Sequence, residues 1–315
     1  MGFSIFEFRP SSFDLLAIGN RQSKIGNDPM DAELIAVGSE LLTPFRQDTN
    51  SLYLTDRLNS LGIEVRFKTI VGDHRERLAE VFRSAISRSE LIILIGGLGP
   101  TEDDINREVV ADVLGHPLHE VPEIRQQIEK RFARIGRTMS ENNLRQAMVP
   151  EGGTWLENKM GTAPGIWLQH NGTIVILLPG PPKELEAMFE STCLARLAPL
   201  AGGQKIHGRT YKVVGLPESE VDQRIAPVYK EYQNPVTTIL ATPGGIEVRL
   251  RARAASDEEA EALLSELGDK IELALGDHVY ATHGETMEEV VGMYLVMKQK
   301  TVAVAESCTG GLLSE

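Results

Sequence analysis

Cysteine is scarce: Cys193 and Cys308 are the two in 315 residues, far apart and without a Cys-x-x-Cys spacing. Such usage excludes a disulfide framework, argues against a structural zinc site and fits a reducing, cytoplasmic compartment. Long hydrophobic runs are missing too, since none approaches the roughly 18 residues that a membrane span needs, so no membrane association is expected. Positive charge is in deficit, with 32 Lys and Arg against 45 Asp and Glu and a formal net charge of -13. Duplex affinity rests on clustered Lys and Arg, so no nucleic-acid partner is expected either. His116 and His119 flank Pro117 and read as surface or core histidines rather than metal ligands. What remains is ordinary globular composition, 42% hydrophobic and 24% charged, in a chain long enough for two or three domains.

One stretch organises the rest. Leu91-Ile92-Ile93-Leu94-Ile95 is a continuous apolar run and reads as a buried parallel strand. Gly96-Gly97-Leu98-Gly99-Pro100 follows as a glycine loop, and then Thr101-Glu102-Asp103-Asp104. Ile105, Val109, Val110, Val113 and Leu114 recur at helical spacing, and Thr101 with Asp104 has the form of a capping box, which predicts a helix starting at the loop. Free amides and a helix dipole converging on a glycine loop suit phosphate. Asp103 and Asp104 would repel that phosphate, and a cation reconciles the two. Either feature alone is commonplace in α/β folds, where acidic residues suit a first helical turn; their combination is what points to a site.

Around this stretch, strands alternate with helices, as in right-handed βαβ units. A strand over 32–37 ends in Gly38-Ser39-Glu40, a helix over 50–61 carries Leu54, Leu58 and Leu61 and stops at Gly62, a strand covers 63–71, and an amphipathic helix covers 75–88. Ligands of such sheets lie beyond the carboxyl ends of the strands, where the Gly38 and Gly96 loops both fall. Helices are expected over 122–135 and, from a Ser cap, over 140–148. Asn171-Gly172 predicts a hairpin joining 166–169 to 173–178, and Pro179-Gly180-Pro181 leads into a helix from Lys183 to about Ser191. Gly202-Gly203 marks a boundary, after which strand, helix, hairpin and helix predict a compact α+β module. Arg249, Arg251 and Arg253 alternate along one of its strands and read as a solvated face rather than a phosphate contact. Residues 1–30 do not read as part of the fold: their apolar pieces are too short and interrupted for a signal peptide, and suit a tail, a start-site extension or a cloning remnant.

Gly38-Ser39-Glu40, Asp48 with Asn50, Gly96 to Asp104, Asn142-Asn143, Gly161 to Gly165 at the end of a loop from Asn158, and Leu178 to Glu184 together resemble the amino-terminal domain of the CinA family, itself similar to MoaB/Mog-like molybdopterin-binding domains. Asn106 departs from the pattern, standing where the family usually has Thr. Glu306-Ser307-Cys308-Thr309-Gly310-Gly311 resembles the start of the family's carboxy-terminal domain, which is similar to nicotinamide mononucleotide deamidases, with Ser307 in the nucleophile position. The resemblance implies an α/β fold with a mostly parallel sheet over 31–202, a small α+β linking domain over 203–283 and an incomplete deamidase-like unit over 284–315, in which Ser307, at the end of an expected strand over 301–305 that lacks its sheet, is expected to be inert.

For function the resemblance implies metal-dependent hydrolysis of ADP-ribose to AMP and ribose 5-phosphate. The residues permit it: the amides of Gly97, Leu98 and Gly99 for phosphate, Asp104 with Asp103 for the metal, and Glu40 or Asp48 as base by fold position. Gly38, Ser39, Asn50, Gly96, Pro100, Thr101, Asn158, Gly161, Thr162, Pro179, Gly180 and Pro181 complete the expected ligand site. Hard oxygen ligands suit Mg²⁺ or Mn²⁺, and a monovalent cation stays open beside it. A nucleotide ligand and a homodimer are the expected partners. The alternative is a module that binds a molybdopterin precursor without turnover.

Overall fold

The computed structural model describes residues 30–134, 136–312 and 314. The expectation for residues 1–30 therefore lies, Met30 apart, outside the described residues. The chain divides into two compact units: the first is built from the chain up to Ser51 together with Arg66–Thr192, the second from Leu52–Val65 together with the chain from Cys193 onward.

Up to the hairpin the elements run β1 (Asp31–Val37), α1 (Thr49–Ser60), β2 (Glu64–Val71), α2 (Arg75–Arg88), β3 (Leu91–Ile95), α3 (Asn106–Leu114), β4 (Leu118–Glu120), α4 (Pro122–Arg134), β5 (Met148–Pro150) and β6 (Thr154–Leu156), followed by β7 (Gly165–His170), β8 (Thr173–Leu178) and α5 (Pro182–Met188). Six strands form one sheet in the order β2-β1-β3-β8-β7-β6. β1, β3 and β8 run parallel, while β7 and β6 add an antiparallel edge. Every residue of β3 and β8 is buried, as continuous apolar strands covered on both faces require. Ile35, Val37, Ile92, Leu94, Val175 and Leu177 pack in one core cluster with Leu78 and Phe82 of α2 and Val109 and Val110 of α3. The hairpin forms as its turn residues dictate, with Asn171 at φ 48° and Gly172 at φ 87°.

β1 holds one polar residue at its centre. Glu33 is fully buried, and Arg88 at the end of α2 grips both of its oxygens, Nε to Oε2 at 2.9 Å and Nη2 to Oε1 at 2.7 Å. A buried carboxylate is tolerable only with such pairing.

Three expected elements of the first unit differ. The helix after the glycine loop begins at Asn106, five residues beyond Thr101, because Thr101 and Asp104 close a separate turn first. Residues 141–147 form a 3₁₀ helix, in which Ser140 Oγ donates to Asn143 Oδ1 at 2.8 Å instead of capping a backbone amide. α5 ends at Met188, and a π turn continues the chain to Cys193.

The second unit carries α6 (Leu194–Leu197), β9 (Lys205–Val213), α7 (Glu218–Tyr229), β10 (Val236–Thr242), β11 (Gly245–Ala254), α8 (Asp257–Leu275), β12 (Val279–Ala281) and α9 (Met287–Met297). Its antiparallel sheet has the order β10-β11-β9-β12, and its core gathers Tyr211, Val213, Val248 and Leu250 with Leu264, Leu267 and Ile271 of α8. Within this unit Arg251 and Arg253 pair with Glu64 at 3.1 and 3.3 Å, and Arg249 pairs with Glu247, so the arginine face is ion-paired rather than simply solvated. Residues 301–305 form no strand. Val302 is 70% exposed, and a lone extended segment without a ladder partner has nothing to hold it as a strand.

Candidate functional site

The parallel arrangement brings three loops to one end of the sheet: Gly38 after β1, Gly96 to Asp104 after β3, and Pro179-Gly180-Pro181 after β8. Their backbones touch. Gly96 N donates to Leu178 O at 2.9 Å, and Gly38 N donates to Val71 O at 3.0 Å. Gly96 has φ +94°, and a Cβ there would sit 2.6 Å from Val37 O; one on Gly180 would sit 3.5 Å from Gly96 Cα. Asn50, in the first turn of α1, donates from Nδ2 to Gly180 O at 2.8 Å and ties that loop in.

Beyond Gly96 the loop turns its carbonyls toward the start of α3. Asn106 Nδ2 donates to Gly96 O at 2.7 Å, and Asn106 N donates to Gly97 O at 3.3 Å. Arg107 donates from Nη1 to Leu98 O at 2.6 Å and from Nη2 to Gly99 O at 2.8 Å. Both side chains are fully buried. Burial pulls the Arg107 pKa below its usual value, against the pull of nearby Glu108 and Asp104. The first amide of α3 is thus spent on the loop itself, a correction to the expectation that the helix terminus opens onto a ligand. The amides of Gly97, Leu98 and Gly99 form no hydrogen bond among the described residues.

The carboxylates stand at the edge of this loop. Asp104 packs on Gly99 so closely that a Cβ there would meet Asp104 Oδ2 at 2.3 Å. The same oxygen accepts from Thr101, from its hydroxyl at 2.5 Å and its amide at 2.9 Å. Asp103 is exposed, and its carboxyl is held below the usual range by the Thr101 hydroxyl, whose single proton it shares with Asp104, by its own backbone amide and by the charge of Arg145. Arg145 donates to Thr101 O at 2.9 Å and pairs with Glu102 and Glu108, each at 3.2 Å. Pro100 is half-buried between the glycines and this turn.

The other expected residues fall into two groups. Ser39 and Asp73 exchange hydrogen bonds, Ser39 N to Asp73 Oδ2 at 2.8 Å and Asp73 N to Ser39 Oγ at 3.1 Å. Glu40 is exposed, and its carboxylate lies over Gly38, where a Cβ would meet Oε2 at 2.6 Å. Asp48 Oδ1 accepts from Ser51 N at 3.0 Å and so caps α1. Asn158 organises its own loop: Oδ1 accepts from Met160 N at 3.0 Å and Gly161 N at 2.7 Å, while Nδ2 donates to Ala163 O and Glu184 Oε2 at 2.8 and 2.7 Å. Arg131 of α4 holds Gly161 O at 2.7 Å, and Thr162 is half-buried in the same loop. Pro179 is buried, and Pro181 is the N-cap residue of α5. Ser307 is exposed, in a turn closed by Gly310 N donating to Ser307 O at 3.3 Å.

Sequence reasoning missed Arg107, Arg145, Asp73, Glu184 and Arg131 as site residues. None of the five leaves a local pattern: α3 begins Asn-Arg-Glu, an ordinary polar helix start, and each of these side chains acts through a contact that only the fold makes.

The family described as a probable molybdopterin binding domain matches residues 33–199, a range that takes in most of the first unit and makes that stretch a domain of this class. The CinA KH domain matches 208–281, and the CinA C-terminal domain matches 284–315. A CinA-like protein from Solibacter usitatus is 54% identical over 286 residues, 91% of this chain and 69% of the relative. Another, from Koribacter versatilis, is 50% identical over 290 residues, 91% of this chain and 70% of the relative. The chain belongs to the CinA family. A crystal structure of a CinA protein of unknown function from Thermoplasma acidophilum covers 51% of this chain and 95% of its own, at 34% identity and a TM-score of 0.48. Among the described residues no helix is long and apolar enough to cross a membrane.

Proposed function

We propose that the first unit hydrolyses ADP-ribose to AMP and ribose 5-phosphate with a divalent cation. The observation that carries this reading is the packing of the Asp104 carboxylate on Gly99, at the edge of three consecutive amides that have no acceptor among the described residues. Amides arranged in this way take phosphate oxygens. Asp103 and Asp104 then offer the donors that Mg²⁺ or Mn²⁺ accepts, one or two carboxylates completed by substrate phosphate oxygens and water. Two carboxylates do not complete the shell of such an ion, so in this reading the cation binds together with the phosphate. When bound, it supplies charge neutralisation at phosphorus and a water of lowered pKa.

The chain's own residues do the rest. Gly97, Leu98 and Gly99 hold phosphate oxygens, while the Thr101 hydroxyl fixes one Asp104 oxygen and leaves the other for the cation. Asp103, exposed beside it, offers a second carboxylate. Asp48 is committed to capping α1, which leaves Glu40 as the better candidate base, exposed at the carboxyl end of β1. The test is incubation of the purified chain with ADP-ribose and Mg²⁺ or Mn²⁺, with AMP and ribose 5-phosphate resolved by chromatography; AMP without ribose 5-phosphate, or neither product, sinks the reading.

A second reading, binding of a molybdopterin precursor without turnover, is favoured by the match of residues 33–199 to a probable molybdopterin binding domain. The same amides would hold its single phosphate. Saturable binding of the precursor, with ADP-ribose left intact, would establish this reading in place of the first.

A further inference from the structure

We infer that Asn106 and Arg107 are positioning residues that set the direction of the glycine-loop amides and so build the phosphate cradle. This rests on the proposed function only in needing an anion there, not on the reaction that follows.

In a trans peptide unit the C=O and the following N–H point in opposite directions. Fixing a carbonyl therefore aims the next amide. Asn106 Nδ2 holds Gly96 O at 2.7 Å and thereby turns the Gly97 amide away from α3. Asn106 N, on Gly97 O at 3.3 Å, does the same for the Leu98 amide. Arg107 Nη1, on Leu98 O at 2.6 Å, does it for the Gly99 amide. The last donor, Arg107 Nη2, holds Gly99 O at 2.8 Å, ahead of Pro100, which has no amide to aim. Two adjacent residues thus pin four carbonyls to one side and present three amides to the other.

The arrangement is costly for folding alone. Arg107 is 0% exposed and spends its two terminal nitrogens on neutral carbonyls rather than a carboxylate, and its Nε finds no acceptor among the described residues. Asn106 is also 0% exposed, and its Oδ1 has no donor among the described residues. Apolar residues would fill this space without those penalties. A buried guanidinium behind the amides also adds fixed positive potential on the side from which an anion is held, where low dielectric strengthens it.

The experiment titrates inorganic pyrophosphate, then AMP, into the wild-type chain and into Arg107→Met, Arg107→Lys and Asn106→Asp, by calorimetry and by amide NMR, with circular dichroism as the folding control. The expected result is downfield movement of the Gly97, Leu98 and Gly99 amide protons in the wild type, and affinity lower by about tenfold or more in Arg107→Met and Asn106→Asp. Arg107→Lys, which keeps the charge but replaces the planar two-nitrogen fork with donors on a single nitrogen, is expected to recover only part of the affinity. The inference is overturned if pyrophosphate binds without moving those three amides, if folded Arg107→Met or Asn106→Asp binds like the wild type, or if the folded wild type binds neither ligand. The NMR arm decides the matter if a variant does not fold. Normal binding with no hydrolysis of ADP-ribose overturns only the proposed reaction.

Discussion

Asp104 accepts both the hydroxyl and the amide of Thr101 on one carboxylate oxygen, at 2.5 and 2.9 Å. The turn so closed fixes the carboxylate against Gly99 and keeps its second oxygen available. Asn can accept the same two hydrogen bonds through its single carbonyl oxygen while offering a cation no charge. Asp104→Asn should therefore keep its melting temperature and lose metal-dependent AMP release by about 100-fold or more. Parallel thermal melts and product assays check both halves; full activity would remove Asp104 from the metal role.

Two glycines of the loop should fail in different ways. Ala at Gly96 meets a backbone oxygen, Val37 O, at 2.6 Å and must hold φ +94°, so Gly96→Ala should cost about 1–3 kcal/mol or more of stability in denaturant melts. The nearest atoms that an Ala Cβ meets at Gly99 all belong to the Asp104 carboxyl, a side chain that can rotate away. Gly99→Ala should therefore melt close to the wild type while losing turnover, because the carboxylate leaves Thr101.

Asp48 serves the helix more than the chemistry. Asp48→Ala should lower stability by about 0.5–2 kcal/mol, and Asp48→Asn should restore it, since Asn caps as well as Asp. Equilibrium denaturation of the two variants is the check. By contrast, Glu40→Gln should lower turnover without a stability change, and unchanged kcat in that variant would remove Glu40 as the base.

The histidine pair predicts an acid-sensitive hairpin. His116 Nδ1 contacts Glu151 O at 2.7 Å, His116 Nε2 contacts His170 Nδ1 at 2.9 Å, and His170 Nε2 meets Asn171 Nδ2 at 3.0 Å. Burial, and then the charge of His116, push the His170 pKa below its usual 6.5. The unfolded chain then binds the proton more readily than the native one, so the linked stability is present above about pH 6.5 and is lost as pH falls toward the lowered native value. Denaturation series between pH 8 and 5 should show this decline, with a shallower slope in His170→Gln.

The sheet was legible because its residues speak locally. Leu91 to Ile95 admits little but a buried strand, and Asn171-Gly172 supplies the two positive φ angles of a tight turn. The helix start was misread because Thr101-x-x-Asp104 satisfies the capping pattern while its side chains close a turn of their own, a competition that short polar side chains often win. Arg107 was overlooked as a site residue because its burial depends on the loop folding back over α3, which no spacing reveals. Residues 301–305 have strand composition, yet a strand is a property of a pair. Most of the expected ligand residues do come to the carboxyl end of the sheet through Gly38, Gly96 and Gly180, whereas Asn158, Gly161 and Thr162 form their own loop, linked through Glu184 of α5.

Metal-dependent release of AMP from ADP-ribose tests the central claim most directly. The purified chain is stripped with a chelator, assayed, and assayed again after Mg²⁺ or Mn²⁺ is restored. The account predicts no product in the stripped protein and equal amounts of AMP and ribose 5-phosphate once the cation returns. Hydrolysis that persists in the stripped protein, or a folded chain that leaves ADP-ribose intact with every divalent cation tried, would contradict it.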